Sequence, residues 1–171
     1  GIRTLATDAG PDALAAGQRR GHASLERGRK TGKLSDEDVE QINGRLTFTT
    51  NLEDFAECDF CVEAIVEQLP AKVTLFEKLD RIVSETAILA TNTSALPIIE
   101  IARATKRPYR VICTHFFNPA PVLNPIVVRR SIPTSAETFD ATPAPGHAPG
   151  KRSVLAPHPL DIRRQLPSDF I

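Results

Sequence analysis

The sequence predicts an α/β fold, a mostly parallel sheet with flanking helices, and two observations carry that expectation. Ala87–Ala90 and Val111–Cys113 are short apolar runs with the length and composition of strands buried on both faces. Around them lie stretches with apolar residues at helical spacing, such as Val73, Phe76, Leu79 and Val83, so helix and strand alternate along the chain. Each apolar run passes into a polar cluster. The first is Thr91-Asn92-Thr93-Ser94-Ala95-Leu96, and the second is Thr114-His115-Phe116-Phe117-Asn118-Pro119-Ala120-Pro121. In an open α/β sheet the edge where strands hand over to loops is the ligand crevice, which places the candidate site at these two clusters.

Composition excludes several classes of function. Lys and Arg total 21 and Asp and Glu total 21 in 171 residues, so net charge gives no reason to expect nucleic acid or a membrane surface as partner. The apolar runs fall short of a membrane span and no signal-like segment opens the sequence, which makes a cytoplasmic location the expectation. Cys58, Cys61 and Cys113 are an odd number and form no disulfide framework. The Cys58/Cys61 spacing suits a redox or half-zinc motif, but no second ligand pair exists, so reduced structural thiols and no metal are expected.

Taken in order, Thr4–Asp8 reads as a short strand ending in an acid, followed by Gly10-Pro11 and a helix entered at Asp12. An acid ending the second strand of a Rossmann unit bonds the adenosine ribose and favours NAD over NADP; a helix N-cap is the other role open to Asp8. Asp12–Lys33 is helical, with Leu14, Gly17, Gly21 and Leu25 on one face and Arg19, Arg20, Arg27, Arg29 and Lys30 largely elsewhere. Ser35-Asp36-Glu37-Asp38 starts a second helix that ends near Gly44. Leu46–Thr49 reads as a strand, Leu52–Ala56 as a helical turn, Phe60–Ile65 as a buried strand and Pro70–Val83 as a helix. Pro97 suits the first turn of a helix running to Thr105. From Thr134 a helix opens with Ser135-Ala136-Glu137, but Pro143, Pro145 and Pro149 interrupt it, each interior proline costing about 3 kcal/mol. Residues 134–171 are therefore expected to form an irregular, proline-rich tail.

His115 is the candidate general base, because imidazole titrates near neutrality, with Ser94 and Asn118 as possible hydrogen-bonding partners. A histidine packed beside Phe116 and Phe117 is the competing reading. Glu67 and Lys72 stand where a strand ends and a helix begins, close to the crevice, and a surface ion pair is their plain alternative.

Val62–Glu67 (V-E-A-I-V-E), Ala90–Leu96 (A-T-N-T-S-A-L) and His115–Leu123 (H-F-F-N-P-A-P-V-L) together resemble the NAD-binding domain of the L-3-hydroxyacyl-CoA dehydrogenase family, which includes 3-hydroxybutyryl-CoA dehydrogenases. The resemblance runs from Arg3 to Leu123. It implies a Rossmann-like domain, NAD as cofactor, an acyl-CoA as substrate, and oxidation of L-3-hydroxyacyl-CoA to 3-ketoacyl-CoA in fatty-acid metabolism. It makes His115 the catalytic base, Asp8, Glu67, Lys72, Ser94 and Asn118 cofactor contacts, and Ser24 and Ser94 substrate contacts. Thr31 stands where a family lysine is expected, with Lys30 beside it. Family members form homo-oligomers through a C-terminal helical domain that the resemblance does not find here.

The resemblance also has departures. The first strand and glycine-rich turn, G-x-G-x-x-G, would lie upstream of Gly1, so residues 1–133 are expected to be a partial NAD-binding domain that binds NAD weakly or not at all. The glutamate expected twelve positions after His115 is Val127, which leaves the imidazole without its orienting carboxylate. Pro125 intrudes where a strand donor is wanted. A second reading is therefore a non-catalytic remnant, an interaction or scaffold protein from a truncated dehydrogenase gene.

Overall fold

The computed structural model describes residues 1–116, 125–142 and 152–156, with backbone alone at 125 and 152–156. The chain divides into two compact units, Gly1–Phe55 and the part from Ala56 onward.

In the first unit β1 (Thr4–Ala6) and β2 (Leu46–Phe48) pair in parallel, and α1 (Pro11–Lys30) and α2 (Asp36–Asn43) connect them. Helix α1 starts at Pro11, where a missing N–H costs nothing, and its N-cap is Gly10, so Asp8 does not cap it. It ends at Lys30 instead of Lys33 because Gly32 turns into the left-handed region at φ 70. The Thr31 hydroxyl closes that end by donating to the carbonyls of Arg27 and Gly28 at 3.0 and 3.1 Å. Helix α2 opens with a reciprocal cap: Asp38 N donates to Ser35 Oγ at 3.0 Å and Ser35 N to Asp38 Oδ2 at 2.9 Å. Leu14, Gly17, Gly21 and Leu25 form the half-buried face of α1, and neither helix has a fully buried residue.

After a 3-10 turn at Leu52–Glu57, the second unit runs β3 (Phe60–Glu63), α3 (Leu69–Ile82), β4 (Ile88–Thr91), α4 (Ile98–Arg103), β5 (Val111–Phe116), β6 (Pro125–Arg130), α5 (Ala136–Ala141) and β7 (Arg152–Ala156). The strands lie in that order in one sheet, parallel throughout except for the antiparallel β5–β6 pair. Strand alternation sorts the side chains onto two faces. One face is an apolar cluster of Ile88, Ala90, Ile112 and Val128, with Phe60 and Phe139 packed against it. The other face receives Glu63, Thr91, Cys113, His115, Val127 and Arg129. The register aligns Glu63 with Thr91, Thr91 with Cys113, Cys113 with Arg129 and His115 with Val127.

Several elements depart from expectation for identifiable reasons. Strand β3 stops at Glu63, leaving Ile65 exposed where a buried strand was expected to continue, and within β3 itself Val62 is exposed. Helix α4 covers only Ile98–Arg103, with Pro97 as its N-cap. Strand β5 extends past Cys113 through Phe116 because β6 pairs along that length. Pro125 does not prevent β6: it stands first in the strand, where a missing N–H is tolerated.

The irregular chain expected after residue 133 is corrected at two places. Helix α5 forms because it finishes at Ala141, before Pro143, and because Ser135 accepts from Thr138 N at 3.0 Å. Thr134 Oγ1 donates to Val111 O at 2.7 Å and ties the start of this segment to β5. Strand β7 pairs in parallel with β6, Val154 opposite Val127. The remainder of 134–171, namely 143–151 and 157–171, lies outside the described residues.

Candidate active site

The carboxyl ends of β3, β4 and β5 build the edge predicted to carry the site. Glu63 ends β3 and points its carboxylate into the fold, where Oε1 accepts from Lys72 Nζ and from Ile65 N at 2.7 Å, and Oε2 accepts from Thr91 Oγ1 at 2.8 Å. Lys72 also reaches Ile65 O at 3.3 Å and forms an ion pair with Glu67 Oε2 at 3.3 Å. Both the Glu63 and Lys72 side chains are 1% exposed. A cation in the first turn of α3 opposes the helix dipole, and a buried one loses its hydration; two carboxylates and a carbonyl offset both. This is not the surface ion pair that residue types alone allow.

Glu67 stands just before α3 and holds the loop after β4. Its Oε1 accepts from Thr93 Oγ1, from Ser94 N at 3.1 Å and from Ala95 N at 3.4 Å, with Ser94 Oγ at 3.5 Å. Desolvation pushes this carboxyl up, but the hydrogen bonds from Thr93, Lys72 and the amides of Ala95 and Ser94 outweigh it and bring its pKa down to about 2. Asn92 Oδ1 accepts from Phe116 N at 2.8 Å, which ties the same loop to the end of β5. Ser94 itself is exposed.

His115 is half-buried on β5, directly across from Val127, which is 0% exposed. Its pKa is lowered by burial first and by the Arg129 charge second, against an upward pull from Glu67. Burial and the Arg129 charge both favour the neutral imidazole, the form that accepts a proton.

The structure brings Glu67, Lys72 and Ser94 together by direct bonds and puts His115 on the adjoining strand of the same sheet. Asp8 and Ser24 belong to the Gly1–Phe55 unit. Asp8 is exposed just beyond β1, its Oδ1 accepting from Ala9 N at 2.8 Å, and Ser24 is half-buried on α1. Asn118 lies outside the described residues. Cys58 and Cys61 are free thiols. Burial, ahead of its thiol neighbour, pushes Cys61 up to about 12, and burial also raises Cys58 and Cys113, so none is an activated nucleophile.

Sequence reasoning missed Glu63, Thr93 and Arg129. Glu63 was signalled by its place on the inward face at the end of β3. Arg129 gave no local signal, because its alignment with Cys113 is set by the antiparallel pairing of β5 with β6.

A mostly parallel sheet with flanking helices and a polar, backbone-pinned edge at its carboxyl ends places the second unit in the α/β class. The sequence matches the family described as 3-hydroxyacyl-CoA dehydrogenase, NAD binding domain, over residues 1–158. The chain belongs to that family. It is 40% identical over 163 residues to the probable 3-hydroxybutyryl-CoA dehydrogenase of Bacillus subtilis, covering 90% of this chain and 57% of the relative. Among solved structures, Mycobacterium tuberculosis FadB2 superposes with a TM-score of 0.87 at 36% identity, covering 91% of this chain and 55% of that one. The 3-hydroxybutyryl-CoA dehydrogenase of Escherichia coli gives 0.86 at 34% identity, covering 91% and 33%. The chain spans about half the length of the curated relatives it matches, 57% and 43% of the first two.

Proposed function

We propose that this chain is the NAD-binding part of a dehydrogenase that oxidises an L-3-hydroxyacyl-CoA to the 3-ketoacyl-CoA in cytoplasmic fatty-acid metabolism. The observation that carries the reading is His115 near the carboxyl end of β5, on the same sheet edge as a Ser94 loop pinned to Glu67. The free cysteines agree with a reducing compartment.

The residues fit the cofactor. Glu67 keeps 41% of its side chain exposed although its bonds to the loop are made, so it can still accept from a ribose hydroxyl at the rim. Lys72 lies beneath it, buried, and acts through it. Asp8 presents an exposed carboxylate suited to the adenosine ribose.

His115 takes the proton of the substrate 3-hydroxyl, and Ser94 orients that hydroxyl from the neighbouring loop. Asn118 serves the nicotinamide end, and Ser24 contacts the acyl-CoA. NAD supplies the hydride acceptor for C3 of the substrate. Residue 127, across the strand pair from His115, is a valine, so that position supplies no carboxylate to the imidazolium formed in this step. The same valine favours the second reading, a non-catalytic member of the family.

The deciding measurement is NADH oxidation by a short 3-ketoacyl-CoA with the wild-type chain and with His115→Ala, alongside NADH titration of wild type and Glu67→Gln. The dehydrogenase reading expects turnover that is lost with His115 and NADH binding that weakens with Glu67→Gln. Equal rates for wild type and His115→Ala, or unchanged binding in Glu67→Gln, would sink it.

A further inference from the structure

Arg129 is a buried cation, 7% exposed, for which no carboxylate forms an ion pair among the described residues. Its Nη2 donates to Thr93 O at 2.8 Å, Ser94 O at 3.3 Å and Cys113 Sγ at 3.4 Å, while the buried Nε has no hydrogen-bond partner among the described residues. Removing a guanidinium from water with a donor left unmade is costly, and a strand position facing the interior would ordinarily hold an apolar residue. The compensation is visible in the loop after β4. Its amides at Ser94 and Ala95 donate to Glu67, and its carbonyls at Thr93 and Ser94 accept from Arg129. Glu67 and Arg129 therefore grip successive peptide groups from opposite polarities. Rotation of the Ser94–Ala95 peptide would turn its amide from Glu67 and its carbonyl from Arg129 together.

We propose that Arg129 is the positioning residue of this edge: its guanidinium ties β6 to the Thr93 and Ser94 carbonyls, fixing Ser94 on the loop and holding β6 in register beside His115. The inference rests on the roles given to Ser94 and His115 above. The strand register supports it independently, because Arg129 lies opposite Cys113, whose thiol also donates to Thr93 O at 3.4 Å, and two residues from the partner of His115. The charges acting on the imidazole are Arg129 from β6 and Glu67 from the β3–α3 connection; Val127 across from it is uncharged.

The test needs neither cofactor nor substrate, so it passes or fails whether or not the chain turns over. In the wild-type chain labelled with nitrogen-15 arginine, Arg129 should show resolved, exchange-protected Nη protons, unlike exposed Arg19 and Arg20. In Arg129→Met the Ser94 and Ala95 amides should exchange at least about tenfold faster, and the His115 titration midpoint should rise, while the core amides of Leu89 and Ile112 keep their protection. Arg129→Lys keeps the charge without the planar fork, so it should restore the His115 midpoint but only part of the amide protection. A motionally averaged Arg129 signal in the wild type overturns the proposal even where the variants fail to fold. Unchanged exchange at Ser94 and Ala95 in a folded Arg129→Met, an unchanged His115 midpoint in it, or full restoration of the amides by lysine overturns it as well.

Discussion

The two sides of the site edge neutralise a buried cation in opposite ways. On the β3–β4 side Lys72 meets Glu63 and Glu67, and those acids are in turn bonded to Thr91, Thr93 and backbone amides. On the β5–β6 side Arg129 meets carbonyls and a thiol and no carboxylate among the described residues, and Val127 stands across the strand pair from His115. The first side surrounds its cation with two acids that are themselves hydrogen-bonded, and one of them, Glu67, stays partly exposed at the rim. On the second, the Arg129 charge disfavours an imidazolium at His115, against an opposite pull from Glu67.

The largest effect that sharpens this contrast is on stability. Lys72→Met leaves Glu63 buried without its counter-charge and should cost about 3–5 kcal/mol in urea unfolding. Arg129→Met orphans no carboxylate and should cost less, about 1–3 kcal/mol. Equal losses would break the comparison.

Next in size is Val127→Glu, which places a carboxylate across the strand pair from His115 and on the same face as Arg129. It should raise the His115 titration midpoint and, if the dehydrogenase reading holds, raise turnover by roughly a hundredfold, within the range general-base assistance spans. A midpoint that stays put would show that the side chain at 127 does not reach the imidazole.

The smaller effects are in pH dependence. The folded pKa of His115 is depressed, so its contribution to stability is present above the unfolded value of 6.5 and is lost as pH falls below it. Glu67 is also depressed, and its contribution is present above 4.5 and lost as pH falls toward about 2, in a smaller step because the side chain is 41% exposed and screened. Thermal melts from neutral to strongly acid pH should show two separate declines. Glu67→Gln should remove the lower one, and Val127→Glu should diminish the upper one.

Much of this was legible in the chain. The apolar runs marked β4 and β5 because strands buried on both faces carry few polar residues, and Ser35 with Asp38 marked the start of α2 because a reciprocal cap needs that spacing. The polar clusters after the two runs located the site edge. The depth of Lys72 was not legible, because it depends on the turn after β3 bringing Glu63 and Glu67 to one point. Arg129 was hidden because the antiparallel register that aligns it with Cys113 is set across an intervening connection, not by local spacing. Helix α5 was underestimated because a count of prolines says how many interruptions there are, not that six helical residues can finish ahead of the first.

Asp80 and Arg107 form another buried pair, Oδ1 to Nε at 2.7 Å, and the rest of the guanidinium caps the end of α3 through the carbonyls of Asp80, Val83 and Ser84. The pair joins residues 27 apart in sequence and so clasps a loop that contains β4, the Ser94 turn and α4. A loop whose two ends are pinned in this way has less conformational freedom than a loop joined only by the chain, so the clasp lowers the entropy cost of holding it in place. Ser94 is therefore exposed to solvent yet carried on a loop whose two ends are pinned together by a buried ion pair.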